Sequence, residues 1–349
     1  MAQELDKKPL LRVIENPIWS PTRLDLAELC MKAYWFQYVF HMKHSITPDI
    51  ARGKLMHRMI EKFWQRDERS GLLVPGYSSY SAFVNSAVRD WRHNFAKTGE
   101  TDGQRIEWDF RGQAWSREFI GNLAAMAGRV YSRYLVEEPR LATEVDLKVT
   151  LDGVRLSAKI DELRRRLTIR DHKSGFKMPK EHYLDKNIQM TDYSLCLWLS
   201  LQDERSTASQ VYPGYVGIPL DEFLEVSTIE VHHLAEARPI DGRREAMTRI
   251  YSAKRTERSF EDLIETIHAK NKSLQERDFH PTKGRHCEYC FFRNVCNSYN
   301  PHDYHENEYE RSMPLFASAG IECKSFAPPQ DKLKKPRLQK SMIFRKSLF

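Results

Sequence analysis

The sequence predicts a mixed α/β fold in which a small central sheet carries helices on both faces. Two observations lead to that expectation. From Val154 to Asp161 the residues alternate, with Val154, Leu156, Ala158 and Ile160 on one face and Arg155, Ser157, Lys159 and Asp161 on the other, the period of a half-buried strand. Upstream, apolar residues recur at helical spacing instead: Ile60, Phe63 and Trp64, then Trp115, Phe119, Leu123, Met126, Val130 and Tyr134.

Residues 1–18 read as an irregular lead-in. A helix begins at Ser20-Pro21, with Pro tolerated in the first turn and Thr22 and Asp25 placed as a capping pair, and runs through Cys30 to about Tyr38. Helices follow over Asp49 to Arg69, over 79–97 and over 112–136. Asp152-Gly153 is a hairpin signal, because its turn needs positive φ, so Glu144 to Leu151 is the antiparallel partner of the Val154 strand. A short strand, Leu167 to Lys173, comes next, and its period of two places Asp171 and Lys173 on one face. A helix from Glu181 to Leu201 then puts Gln189 and Tyr193 on one face. Val211 to Leu220 and Glu225 to His232 read as strands, with Pro213 and Gly214 marking an edge or a bulge, and Asp241 to Arg277 reads as a polar helix. The expected organisation is one domain over 1–300, an irregular connector over 301–323 and a basic, disordered tail over 324–349.

Two carboxylates and an ammonium therefore converge at neighbouring strand ends. Oxygen ligands such as Asp161 and Asp171 suit Mg²⁺ or Mn²⁺, which can polarise a phosphodiester and activate a water. Lys173 can stabilise the charge that builds on the phosphate oxygens or orient the attacking water. Asp-x-Lys by itself is a common surface pattern, so the reading depends on its surroundings.

Those surroundings resemble a known family. Asp161, the Asp171-x-Lys173 pair and Gln189-x-x-x-Tyr193 on the following helix look like the motifs of the PD-(D/E)XK nucleases, in the RecB-like branch. In that branch a His on an upstream helix joins the metal site, and Gly53-x-x-x-His57 stands in the corresponding place. A lone His among apolar neighbours is ordinarily a packed residue, and only the Asp161 and Asp171 context makes His57 a ligand candidate. Ala158 departs from the family, which often carries a small Gly-containing turn before the Asp. The resemblance implies a restriction-endonuclease-like core with His57, Asp161, Asp171 and His172 as metal ligands. It makes Lys173 the transition-state stabiliser, with Glu144, Gln189 and Tyr193 in support. It also implies a metal-dependent deoxyribonuclease, a stand-alone exonuclease on single-stranded DNA ends in repair, recombination or replication. The alternative is a catalytically silent DNA-binding or scaffolding subunit. Such a subunit has no chemical need for Asp171 and Lys173 together.

Six cysteines are too few for a secreted disulfide scaffold. Cys287-x-x-Cys290-x5-Cys296 is one ligand short of a four-thiolate site, and Cys30 is the natural fourth. Zinc also takes four thiolates, and His286 could replace Cys30, although zinc ribbons pair two close knuckles and His286 adjoins Cys287. The one-plus-three arrangement resembles the iron-sulfur staple of AddB, CRISPR-adaptation and exonuclease V type nucleases. By that resemblance a 4Fe-4S cluster on Cys30, Cys287, Cys290 and Cys296 joins the N- and C-terminal segments. A zinc-stapled RNA-binding protein has only the cysteines in its favour. Cys196 reads as a buried core thiol, and Cys323 has no evident partner.

The formal net charge of +7 is concentrated. Lys324 to Phe349 hold eight Lys or Arg against one Asp, a net of +7, which leaves the rest of the chain near neutral. Any phosphate track on the body must then be local. Ser312-Met313-Pro314-Leu315-Phe316 and Ser347-Leu348-Phe349 resemble the short Leu-Phe peptides that dock bacterial replication proteins on the sliding clamp, or else anchor on the protein's own surface. There is no G-x-x-x-x-G-K-[ST] loop, so no ATP hydrolysis is expected. No apolar run reaches membrane length and no charged-then-apolar leader opens the chain, so a cytoplasmic protein is expected.

Overall fold

The computed structural model describes residues 14–42, 46–66, 69, 73–96, 100–101, 104–106, 117–137, 140–175, 179–235, 238–240, 243–293 and 296. The chain divides into two compact units, one of residues 16–25 and 43–269 and one of residues 1–15, 26–42 and 270–349.

The larger unit is built on a six-stranded mixed sheet. Its strands are β1 (Ile18–Trp19), β2 (Ala142–Leu151), β3 (Val154–Arg164), β4 (Thr168–Gly175), β5 (Thr228–Ala235) and β6 (Thr248–Ala253). The hairpin between β2 and β3 closes at Asp152-Gly153, whose φ values of 48° and 80° are the positive pair that a two-residue turn requires. β3 uses one edge for β2 and shares the other, pairing in parallel with β1 at Arg155 and Leu156 and antiparallel with β4 at Glu162 to Arg164. β4 then pairs in parallel with β5, and β5 antiparallel with β6.

Helices cover both faces, as the sequence predicts. The main ones in this unit are α1 (Pro21–Leu29), α2 (Pro48–Phe63), α3 (Tyr80–Asp90), α4 (Arg117–Tyr134), α5 (Ile188–Leu201) and α6 (Glu257–Gln275), of which α1 and α6 each continue into the smaller unit. Thr47 caps α2, its Oγ1 accepting from the Ile50 N–H at 3.4 Å, with Pro48 in the first turn. Leu55, Met59 and Phe63 of α2, Phe83 and Ala87 of α3, and Leu123, Met126, Val130 and Tyr134 of α4 form one apolar cluster. That cluster contains the whole predicted α4 stripe except Trp115, which lies outside the described residues. α5 packs on β2, β3 and β4 and buries nearly every side chain from Met190 to Leu197.

The structure corrects several boundaries. The first helix does not run unbroken to Tyr38: Cys30 is extended at φ −168°, and the chain resumes as a short helix and then a π-helical turn, Trp35–Val39. α2 stops at Phe63 and passes into a strand, Trp64–Arg66. The predicted strand Val211 to Leu220 is instead a short helix Thr207–Val211, a 3-10 turn Pro213–Tyr215 and the start of a helix Leu220–Val226. There Pro213 and Gly214 shape a turn rather than an edge. The predicted polar helix from Asp241 begins only at Glu257, because Thr248–Ala253 is β6. Its alternation was hidden by exposed polar residues on an outer strand.

In the smaller unit, Trp35 stacks on Phe40 with ring centres 5.4 Å apart and meets Phe279 at 6.3 Å, while Phe36 meets Phe292 at 5.4 Å. Lys270 pairs with Glu28 at 2.9 Å. The connector and tail, with Leu315-Phe316, Cys323 and Leu348-Phe349, lie outside the described residues.

Candidate active site

The site forms where β3 and β4 part. Their ladder covers only Glu162 to Arg164 against Thr168 to Arg170. Beyond it, the His172 N–H donates to Asp161 Oδ2 at 2.7 Å. A backbone donor freed from the sheet thereby orients the carboxylate. Directly across β2, Glu144 stands opposite Asp161 with its residue pair missing from an otherwise unbroken register, and its φ is 52°. A left-handed glutamate inside a strand costs on the order of 1 kcal/mol, strain of the kind found at functional sites.

α2 supplies the third group. Gly53 lets the helix pass close over β4, since a Cβ there would come within 3.2 Å of Ser174 Oγ. One turn on, His57 Nδ1 lies 3.3 Å from Asp161 Oδ2. Ligand atoms of His57, Glu144 and Asp161 all fall within 4.8 Å of one another, the sole such trio of His, Cys, Asp or Glu among the described residues. Burial would raise the Asp161 pKa, but His57 and the His172 N–H outweigh it and hold the carboxyl at about 2. For His57, burial works against the imidazolium and the Asp161 charge more than offsets it, so its pKa is raised.

A second cluster adjoins the first. Lys173 Nζ lies 3.0 Å from Asp171 Oδ2 and 3.3 Å from Oδ1, and donates to Gln189 Oε1 at 2.7 Å. Gln189 Nε2 reaches back to Asp171 Oδ1 at 3.2 Å and to Tyr193 Oη at 2.7 Å. Asp171 is buried, and its Oδ2 accepts no hydrogen bond although the ammonium is near. Burial is the main reason its pKa is raised, opposed by Lys173. Burial would lower the Lys173 pKa, but Asp171 and Asp161 raise it, which keeps the ammonium charged.

The helix carrying Gln189 and Tyr193 is pinned at its start. Asn187 Oδ1 accepts from the Met190 N–H at 2.9 Å. The buried Arg255 donates to Leu184 O at 2.7 Å, Asn187 O at 3.3 Å and Thr191 Oγ1 at 2.7 Å. Nothing in the local sequence around Arg255 marks that role.

The PD-(D/E)XK nuclease superfamily matches residues 18–297, four-fifths of the chain and all of both clusters. This chain belongs to that superfamily. Among solved structures, a protein of Eubacterium rectale described as a candidate exonuclease aligns at 11% identity and TM-score 0.43, over 83% of this chain and 92% of its own. The structure of SSO0001 aligns at 13% identity and TM-score 0.26, over 70% of this chain and 95% of its own. No curated protein matches the sequence.

The structure brings Asp161, Asp171, Lys173, Gln189, Tyr193 and His57 close to one another, and it places Glu144 beside His57 and Asp161. His172 is the exception. It alternates with Asp171 and Lys173 along β4, so its ring enters the other face, where it lies 3.0 Å from Glu162, 3.2 Å from Tyr134 Oη and 3.2 Å from His232 Nδ1. Only its backbone N–H serves Asp161, so the ring is withdrawn from the ligand set.

That opposite face holds a charged network that sequence reasoning missed. The buried Arg140 pairs with Glu137 and Glu162 at 2.8 Å each, and its guanidinium lies 3.9 Å and 4.1 Å from the ring centres of Trp64 and Tyr134. Arg170 links Glu137 to Glu230, at 2.7 Å from each. These residues join α4 to β3, β4 and β5 behind the site.

In the smaller unit, Cys30, Cys287, Cys290 and Cys296 are all free thiols, and Cys30 is buried. Burial is the main cause that raises the Cys290 thiol to about 11, with Cys296, Cys30 and Cys287 each adding to it. Burial lowers the Lys32 pKa, against Cys296 and Cys30, which raise it. Cys196 is a buried core thiol in α5. Among the described residues no helix is long and apolar enough to cross a membrane.

Proposed function

We propose that this chain is a metal-dependent deoxyribonuclease acting as an exonuclease on single-stranded DNA ends. One observation carries the reading: the closed Asp171–Lys173–Gln189–Tyr193 network lies on the same sheet face as the His57–Glu144–Asp161 group. The donor set fits a small divalent cation, with two carboxylates and one imidazole, and Asp171 Oδ2, ion-paired with Lys173, close by. One imidazole among oxygens suits Mn²⁺, with Mg²⁺ as the harder alternative. Bound there, the ion would polarise the scissile phosphate and lower the pKa of a water.

The chain's own residues do the rest. Lys173 presents a fixed ammonium where negative charge develops on the phosphate oxygens. Gln189 holds that ammonium from one side and Asp171 from the other, so little reorganisation is needed during reaction. Tyr193 in turn fixes the Gln189 amide, while the His172 N–H and His57 hold Asp161 ionised.

The four cysteines of the smaller unit are read as ligands of a 4Fe-4S cluster. Support comes from their one-plus-three spacing; among the described residues no three of their sulfurs lie within 4.8 Å of one another. Zinc is the competing occupant.

Anaerobically purified protein is expected to be brown and to absorb visible light, and a colourless protein containing zinc would overturn the cluster. On single-stranded DNA labelled at one end, blocking one terminus at a time is expected to abolish degradation from that terminus. Cleavage of a circular single strand would instead show an endonuclease.

A further inference from the structure

The β2–β3 hairpin brings a second ammonium to the candidate metal group. Lys159 lies two residues before Asp161 on β3, so both side chains leave the same face of the strand. Its partner directly across the ladder is Asp146, but Asp146 pairs with Lys148 at 3.2 Å, and Lys159 Nζ reaches diagonally to Glu144 Oε2 at 2.5 Å. The hydrogen bond to Glu144 raises the Lys159 pKa; burial opposes it, and the charges of Glu144, Glu61 and Asp161 add to the rise. Glu61 follows His57 by one turn of α2, so carboxylates from α2, β2 and β3 all act on this one ammonium.

Glu144 and Asp161 present ligand atoms within 4.8 Å of each other and would repel if left unbalanced. His57 balances Asp161 at 3.3 Å, and Lys159 balances Glu144. Such a pair can act on an incoming divalent cation in two opposite ways, by bracing Glu144 as a ligand or by competing for its oxygen. Three features favour competition. The Lys159 side chain is 65% exposed on a flexible stem, against 19% for Glu144, which makes it a poor brace. Glu144 is aimed instead by its own backbone, left-handed at φ 52° and opposite Asp161 in the hairpin. An ammonium beside the ligands also repels a doubly charged ion, and an exposed ion pair is weak enough to open readily.

We propose that Lys159 is the exchangeable counter-ion of the metal group: its ammonium neutralises Glu144 before the divalent cation arrives and gives the carboxylate up to it. The inference rests on the reading of His57, Glu144 and Asp161 as the ligands, and it adds a residue that sets how much metal the site requires. Lys159 lowers the affinity of the group for metal while it keeps two neighbouring carboxylates compatible in the metal-free protein.

The test measures Mn²⁺ uptake by the full chain without DNA, from the loss of the free-ion paramagnetic resonance signal. Asp161→Asn supplies the background, and Lys159→Gln and Lys159→Arg are compared with the parent. Lys159→Gln is expected to bind Mn²⁺ about two- to five-fold more tightly, the worth of an exposed ion pair. Lys159→Arg, which keeps the charge, should bind as the parent does. The gap between Lys159→Gln and the parent should narrow at high salt, where the ammonium is screened. Circular dichroism and Tm of Lys159→Gln check that the fold is kept. Mn²⁺ affinity that is unchanged or weaker in Lys159→Gln would overturn the exchange and leave the nuclease reading intact. If Lys159→Gln binds Mn²⁺ more tightly but the parent never cuts DNA, the exchange stands and the nuclease reading falls. A parent that takes up no more Mn²⁺ than Asp161→Asn would overturn both.

Discussion

Lys173→Ala lowers the rate of metal-dependent cleavage by about 100- to 1,000-fold, the usual consequence of removing one preorganised group that faces developing charge. The loss falls on kcat, because the ammonium sits against Asp171 and Gln189 before substrate arrives and gains its main partner only as negative charge builds on the phosphate. The variant is expected to keep the parent's far-ultraviolet circular dichroism spectrum, with a lower Tm because the buried Asp171 loses its ammonium partner. Initial rates on end-labelled DNA check the expectation. A variant that keeps a tenth or more of the parent rate would mean that Lys173 only balances the charge of Asp171.

Arg140→Ala is expected to destabilise the larger unit by about 3 kcal/mol, because it takes a buried guanidinium from two carboxylates and leaves Glu162 with only His172 and the longer contact to Arg164. For a unit of this size that corresponds to a fall in Tm on the order of 10 °C, read by calorimetry. The same network makes the parent acid-sensitive. Burial alone would raise the Glu137 pKa, but Arg170, Arg140 and Arg164 bring it from 4.5 down to about 2. A folded pKa below the unfolded one contributes stability that is present above the unfolded value and lost as pH falls through the folded one. For Glu137 this amounts to about 3 kcal/mol, lost between roughly pH 5 and pH 2. Arg140→Ala, by weakening that shift, should flatten the fall in Tm across this window. An unchanged acid profile would mean that Arg170 and Arg164 alone hold the Glu137 carboxylate.

How much of this was legible in the sequence follows from the range of each signal. The Asp152-Gly153 turn and the alternation of Val154 to Asp161 are local, and the β2–β3 hairpin forms where they predict. Asp171 and Lys173 share a face because a strand has period two, and Gln189 and Tyr193 share one because a helix has nearly four residues per turn. What stayed hidden depends on contacts between distant segments. Period two puts the His172 ring on the opposite face from Asp171 and so removes it from the ligands that the resemblance implies. Glu144 was placed near the site by the hairpin register, yet its direct approach to His57 and Asp161 needs a left-handed residue that no pattern announces. Arg140 and Arg255 gain their meaning only when distant segments are brought beside β3 and α5. β6 was missed because its alternation lies on an outer strand with polar residues on the open side.

The central claim is that His57, Glu144 and Asp161 hold a divalent ion beside Asp171 and Lys173 and that this assembly cuts DNA. The most direct measurement is degradation of end-labelled single-stranded DNA by the intact protein with Mn²⁺, with Mg²⁺ and with EDTA, alongside Asp161→Asn. Cleavage that requires the metal and is lost in Asp161→Asn is the predicted result. Cleavage that persists in EDTA, or that Asp161→Asn retains in full, would contradict it, as would a folded parent that leaves DNA intact with both metals.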